Sequence, residues 1–182
     1  MVLHRSNCLG TLVAAVSLLA CSDGRNTVGP KKELTVTDPA YTASVGSQST
    51  LLGRATFSDP KDQNLDVKRI TDDWHMDIKA KPGFDIAVQT IVFQPGSTSG
   101  WHRHPGPVFI QVVSGTMTFY MSDDPTCSPT VRTAGQSYLD LGEHAHIARN
   151  EGTTPAQNLV TYFAPPGAAL RIDADSPGNC PF

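Results

Sequence analysis

The sequence has no basic excess, no long membrane-type segment and none of the common nucleotide-binding motifs. Its 182 residues include 14 Lys and Arg against 17 Asp and Glu, for a net charge of −3, so nucleic-acid binding has little support. Beyond the extreme N-terminus no uncharged apolar run reaches 18 residues, which argues against a multi-span membrane protein. We find no P-loop, dinucleotide fingerprint or nucleophile elbow. The length suits one domain with a substantial core.

Amphipathic helical patterns of ten or more residues are also missing, and short alternating segments take their place. Trp74, Met76 and Ile78 alternate with polar residues, and residues 84–93 follow after a Lys-Pro-Gly turn, so this pair is predicted to form a hairpin. The 15 Gly and 14 Pro separate the remaining segments. Further strands are predicted at 108–113, 116–121, 136–141, 144–148, 157–164 and 169–172. The pattern favours an all-β sandwich or barrel.

The N-terminus is typical of an export signal. A charge at Arg5 precedes an uncharged run over residues 9–20, so residues 1–20 are predicted to be a signal peptide. Leu18-Leu-Ala-Cys21 resembles the lipobox of bacterial lipoproteins, which implies a lipidated Cys21 and a membrane-anchored protein in the periplasm or at the cell surface. A plain cleaved signal and a cytosolic protein remain the alternatives. Residues 21–47 lack periodicity and are predicted to be a flexible tether, with a β-barrel domain over 48–182.

The expected state of each of the four cysteines follows from this interpretation of the N-terminus. Cys8 leaves with the signal peptide and Cys21 carries lipid, so Cys127 and Cys180 remain. Two cysteines in an oxidising compartment have one pairing, and their bridge would close a loop of about 54 residues. Two free thiols are the alternative.

The histidines carry the chemical signal. Of six, His4 falls in the signal peptide and His75 on the polar side of its strand; the other four form two His-x-His pairs, 102/104 and 144/146. Residues i and i+2 of a strand project to one face, about 6.6 Å apart along the chain, so such a pair can converge on one metal ion.

The residues around these pairs resemble the two cupin motifs. Residues 96–115 (GSTSGWHRHPGPVFIQVVSG) match G-x5-H-x-H-x3-E-x6-G, except that Val108 stands at the glutamate position. Residues 135–150 are similar to the second motif, with Asp140 one position before the usual proline and a fitting His146-x3-Asn150. The resemblance covers about residues 83–165 and implies a small jelly-roll β-barrel, preceded here by a lipoprotein-type signal.

The resemblance also implies a divalent metal in the barrel mouth. Carried over position by position, the ligands are His102, His104 and His146, without the glutamate. Fe(II) is favoured, and Zn, Mn, Ni or Cu would also suit nitrogen ligands. Three roles are left open for His144: a fourth metal ligand, a residue of the pocket that supports the ligands, or a residue at the rim of the barrel. Tyr120 and Tyr162 are candidates to line the pocket.

The function expected from this site is that of an oxidoreductase of the dioxygenase type, acting on a small organic molecule. The alternatives are a non-catalytic cupin that binds or senses a small ligand or metal, and a Zn- or Mn-dependent hydrolase or isomerase. No particular catalytic residue is assigned. The expected partner is a small molecule rather than a nucleic acid, membrane contact is expected only through the lipid anchor, and a homodimer is left open.

Overall fold

A computed structural model describes residues 43–59, 64–68, 75–79 and 83–182, and these residues fold into strands without a helix. No helix long and apolar enough to cross a membrane occurs among them. The predicted signal peptide, Cys21 and most of the predicted tether lie outside the described residues. The first described strand begins at Val45, inside the last residues assigned to the tether.

Twelve strands make up this part of the chain. In chain order they are β1 (Val45–Phe57), β2 (Asn64–Lys68), β3 (His75–Lys79), β4 (Phe84–Thr98), β5 (His102–Arg103), β6 (Val108–Ser114), β7 (Thr116–Met121), β8 (Thr130–Thr133), β9 (Ser137–Asp140), β10 (His146–Arg149), β11 (Ala156–Ala164) and β12 (Ile172–Asp173).

Ten of these strands belong to one antiparallel sheet that wraps into a nearly closed barrel. Its main path runs β12-β5-β10-β4-β11-β6-β9, with β1 added to β4, and with β7 joining β10 to β8. Strands β2 and β3 form a separate two-stranded sheet. The all-β jelly-roll prediction is confirmed.

The predicted hairpin between residues 74–78 and 84–93 is wrong. Strand β3 pairs with β2, whereas β4 pairs along its length with β1 on one edge and β11 on the other. A strand has only two edges for backbone hydrogen bonds, and both edges of β4 over 84–93 are taken by these longer partners. The two segments that flank the Lys-Pro-Gly sequence therefore do not pair with each other.

The core lies inside the barrel and follows the alternation of the strands. Strand β11 alternates buried and half-buried residues over its whole length, as expected for a sheet with one face inward. The main cluster contains Phe93, Val108, Met117 and Phe119, all nearly inaccessible to solvent. A smaller cluster around Trp101 and Tyr120 lies apart from it.

The predicted disulfide between Cys127 and Cys180 is present. Cys180 is buried in the smaller cluster, and the neighbouring Asn179 amide donates hydrogen bonds to the backbone oxygens of Met121 (3.0 Å) and Asp124 (2.6 Å). The disulfide and these hydrogen bonds fasten the C-terminal segment to the barrel. This segment is too polar to be held there by apolar burial alone.

Candidate metal centre

Three histidines meet at the inner face of the barrel. His102 starts β5, His146 starts β10, and the two are directly paired across these strands. His104 follows β5 by one residue, on the same side as His102. His102 and His104 are each 6% exposed, and His146 is 1% exposed. One ring nitrogen from each of the three lies within 4.8 Å of the others. The structure therefore brings together the three ligands that the sequence predicts.

The Nδ1 atoms of His102 and His104 are each held by a backbone carbonyl oxygen. His102 Nδ1 lies 2.9 Å from the Gly100 carbonyl, and His104 Nδ1 lies 2.6 Å from the Leu170 carbonyl. Because a carbonyl oxygen only accepts, Nδ1 carries the proton in both rings and the Nε2 lone pair is left free. Such outer partners fix the tautomer and orientation of metal-binding histidines.

Burial keeps these imidazoles neutral. Desolvation, helped by the neighbouring His146, lowers the pKa of His104 to about 4 and the pKa of His102 well below its ordinary value. A neutral imidazole is the form that binds a metal, so at pH 7 these two rings need lose no proton before binding.

A carboxylate absent from the predicted ligand set stands beside His146. Asp140, the last residue of β9, is 2% exposed, and its Oδ2 lies 2.9 Å from His146 Nδ1 and 3.8 Å from His104 Nε2. The first contact is short, but Oδ2 lies off the N–H direction, so neither atom has a well-aligned partner. Burial raises the pKa of Asp140, yet contact with His146, the Gly142 amide and His104 outweigh it and hold that pKa below its ordinary value. Asp140 is therefore a buried carboxylate at neutral pH.

The position of Asp140 explains how the site has a carboxylate although Val108 stands at the glutamate position of the first motif. Val108, at the glutamate position, is 1% exposed and packs in the main core, where it offers no ligand atom. Asp140 is its direct cross-strand partner between β6 and β9. Paired residues of antiparallel strands project to the same face, so Asp140 restores a negative charge to the face that Val108 leaves uncharged.

The turn after Asp140 requires a glycine. Asp140 Oδ1 accepts a 2.9 Å hydrogen bond from the Gly142 amide, and Gly142 has φ of +81°. A Cβ at this residue would lie 2.7 Å from the Gly106 oxygen and 2.9 Å from the His104 oxygen. Without a side chain the turn can close against the backbone that carries His104.

A cavity of about 440 Å³ opens beside the three histidines. Tyr162 lines it, as predicted, with its ring 5.3 Å from that of His104, centroid to centroid. The Gln89 amide donates a hydrogen bond to the Tyr162 oxygen, and burial raises the pKa of this phenol to about 12. Tyr162 therefore stays protonated and keeps its own O–H for a ligand.

Two other predicted pocket residues lie elsewhere. His144 falls in the turn before β10, its side chain is 52% exposed, and its Nε2 lies 3.6 Å from Asp123. It is therefore neither a fourth ligand nor a support of the ligands. Tyr120 is wrong as a pocket residue: it packs in the cluster around Trp101, and its hydroxyl donates a 2.9 Å hydrogen bond to Glu151. Tyr120 pairs with Ile147, the neighbour of His146, so strand parity turns it away from the cavity, whereas His144 precedes β10 and lies in the exposed turn.

The segment before and within β12 closes one side of the site, which the sequence did not predict. Leu170 supplies the carbonyl for His104, Asp173 pairs with His102 across β12 and β5, and the Ala174 amide donates to the Trp101 oxygen at 3.1 Å. Arg171, between these fixed points, lines the cavity. Local sequence pattern gives no signal for this, because the placement depends on pairing with a strand about 70 residues earlier.

This donor set fits a divalent cation. Three imidazoles with one nitrogen each in the cluster suit a first-row metal. Ligands at 2.0–2.1 Å in a tetrahedral arrangement are about 3.4 Å apart, so these nitrogens, now within 4.8 Å of one another, would move closer on binding. The Asp140 carboxylate, 2.9 Å from His146 Nδ1, would offset part of the charge of the ion. The residues present therefore form a candidate three-histidine metal site.

Fold and site together define a small jelly-roll barrel with a candidate metal centre in its mouth. Residues 89–162 match the model of the cupin domain family, Cupin_2. This part of the chain is a cupin domain.

Solved structures share the fold at low similarity. An uncharacterised conserved protein with a double-stranded β-helix domain from Klebsiella pneumoniae is 23% identical over 49% of this chain and 74% of its own, with a TM-score of 0.42. The Cupin_2 domain of an XRE family transcriptional regulator from Enterobacter cloacae is 14% identical over 67% and 99%, with a TM-score of 0.42. A cupin sugar phosphate isomerase from Silicibacter pomeroyi is 21% identical over 42% and 48%, with a TM-score of 0.37. Likeness at this level says nothing about activity, and no curated protein matches the sequence significantly.

Proposed function

We propose that this protein is an exported metal-dependent oxidoreductase of the dioxygenase type that acts on a small organic molecule. One observation carries the proposal: three buried histidines bring one ring nitrogen each within 4.8 Å of the others, beside a cavity large enough for a small substrate. A cavity of about 440 Å³ is within the usual range for small-molecule sites.

The chain's own residues prepare this site for a cation and a ligand together. The Gly100 and Leu170 carbonyls orient the rings of His102 and His104, and the Asp140 carboxylate lies beside His146. A bound Fe(II) held by three protein ligands would supply open positions for dioxygen and substrate. The protonated Tyr162 hydroxyl is placed to donate a hydrogen bond to an oxygen atom of a ligand in the cavity.

The test starts from protein loaded with iron, zinc or manganese in parallel. We expect oxygen consumption, measured with a panel of small phenols, thiols and organic acids, in the iron-loaded form alone. His104→Ala should abolish it and His144→Ala should leave it unchanged, because His144 lies outside the cavity. Turnover with zinc or manganese and without oxygen would favour a hydrolase or isomerase, and ligand binding without turnover would favour a binding protein. Either outcome contradicts the oxidoreductase proposal.

We propose further that the protein is a membrane-anchored lipoprotein. The support is the lipobox-like segment ending at Cys21 and the Cys127–Cys180 disulfide, a bond typical of oxidising compartments. Full-length protein should fractionate with membranes, and Cys21→Ser should release it, whereas Cys8→Ser should not. Mass spectrometry of the mature N-terminus should show Cys21 with diacylglycerol. An unmodified amino terminus at another residue would contradict the anchor.

A further inference from the structure

The cavity beside the histidines has a one-sided charge. Arg171 lines it, and among the described residues that line it none is acidic. The histidines add no negative charge, and a metal ion would add positive charge. Arg171 is also close enough to lower the pKa of both His102 and His104. Among the described residues, Arg171 is therefore the one permanently charged side chain that lines the cavity, and the nearby carboxylates of Asp140 and Asp173 lie outside that lining.

The Arg171 guanidinium is held on one edge and unpartnered on the other. Its Nε donates a 2.6 Å hydrogen bond to Asp173 Oδ1, which fixes the plane of the group. Its Nη2 is inaccessible to solvent and has no hydrogen-bond partner among the described residues. The Arg171 side chain as a whole is 33% exposed and lines the cavity, so a ligand can contact it, and a carboxylate is the acceptor that fits a guanidinium group best.

One part of the cavity wall is hydrocarbon, and the rest carries the polar side chains of four serines, Gln89 and Tyr162. The hydrocarbon part is formed by Ile91, Phe93, Ile110 and Val160, on strands β4, β6 and β11. Such a wall accommodates a short aliphatic or aromatic body, whereas a strongly hydrated inorganic anion would gain nothing from it.

We propose that the cavity binds small monocarboxylates with a hydrocarbon body, the carboxylate paired with Arg171 and the body packed against this apolar wall. The proposal rests on the proposed function, since it names the substrate class of the same cavity. It assigns Arg171 a substrate-binding role that does not depend on which metal occupies the centre.

Calorimetry with matched acids and amides tests the proposal. Phenylacetate, 3-phenylpropanoate and butyrate would be compared with the corresponding neutral amides, and with inorganic phosphate, on metal-free and zinc-loaded protein. We expect at least one acid to bind at least 10-fold more tightly than its amide and than phosphate. Arg171→Gln should abolish this preference, and Arg171→Lys should weaken it, because lysine keeps the charge and loses the planar edge.

Arg103→Gln is the matched control. Arg103 is directly paired with Ile172, next to Arg171, but its side chain is exposed on the outer face. The control removes the same charge from the neighbouring strand and should change the preference less than 2-fold. The proposal is overturned if no acid of the panel binds the wild type, if amides or phosphate bind as tightly as the acids, or if Arg171→Gln and Arg103→Gln behave alike.

Zinc titration of the same proteins separates the two proposals. Arg171→Gln should bind zinc within 3-fold of the wild type, since Arg171 is not among the three clustered histidines. Failure of the wild type to bind any divalent metal would contradict the metal centre, while the acid–amide difference on metal-free protein would still decide the role of Arg171. If Arg171→Gln does not fold, the wild-type comparison and Arg171→Lys decide the matter.

Discussion

Replacing Asp140 with asparagine tests whether this carboxylate supports the metal centre. The substitution keeps the size of the side chain and removes the negative charge 2.9 Å from His146 Nδ1. Asp140 is 2% exposed, so water cannot take the place of the lost charge. Removing the outer partner of a metal-binding histidine typically costs 10–100-fold in affinity, which corresponds to about 1.4–2.7 kcal/mol. We expect Asp140→Asn to weaken zinc binding about 30-fold.

The assay is competition for zinc against a chromophoric chelator at pH 7, on folded protein checked by circular dichroism. Asp123→Asn is the matched control, because Asp123 also contacts a histidine, at 3.6 Å, but both side chains are about half exposed. An exposed pair of this kind contributes little, so the control should change zinc affinity less than 2-fold. Equal affinities for the two variants would refute the assigned role of Asp140.

The remaining predictions concern stability. Changing both Cys127 and Cys180 to serine removes a disulfide between residues that are 53 positions apart in sequence. It should lower the free energy of unfolding, measured by urea titration, by about 4 kcal/mol. A loss below about 1 kcal/mol would contradict the stabilising role of the disulfide. In metal-free folded protein the pKa of His104 is about 4, whereas in the unfolded chain it is 6.5. At pH values between 4 and 6.5 the unfolded state therefore binds more protons than the folded state. Stability should therefore fall as pH drops from 6.5 to 4, by at most about 3 kcal/mol, and a flat profile would contradict the neutral ring. Val108→Glu places a second buried carboxylate opposite Asp140, so it should lower the Tm of metal-free protein, and zinc should recover part of the loss; an unchanged Tm would contradict the shared face.

The strands and the pairing of His102 with His104 were predictable because their signals are local, whereas the choice of His146 as the third ligand came from the resemblance to the cupin motifs. Alternation of apolar and polar residues marks a strand from its own sequence, and His102 with His104 share a face by spacing alone. The partner of β4 was not predictable in this way. Its choice of β1 and β11 over β3 depends on backbone pairing between segments that are remote in sequence.

Two parts of the site depended on such remote pairing. Asp140 was visible as an acidic residue at an unusual place in the second motif, but its role follows from its register opposite Val108. Arg171 lies 25 residues beyond His146, in the segment 169–172 that is predicted to be a strand, and its place at the cavity follows from the pairing of β12 with β5. Conversely, His144 shares the spacing of the first pair, yet the turn before β10 leaves it exposed.

The metal content of purified protein tests the central claim most directly. Elemental analysis after dialysis against a single divalent metal should give one ion per chain for the wild type and for His144→Ala. His102→Ala, His104→Ala and His146→Ala should each fall to a small fraction of that value, because each removes one of the three buried nitrogen donors. Full occupancy in any of these three variants, or loss of the ion in His144→Ala, would contradict the three-histidine centre.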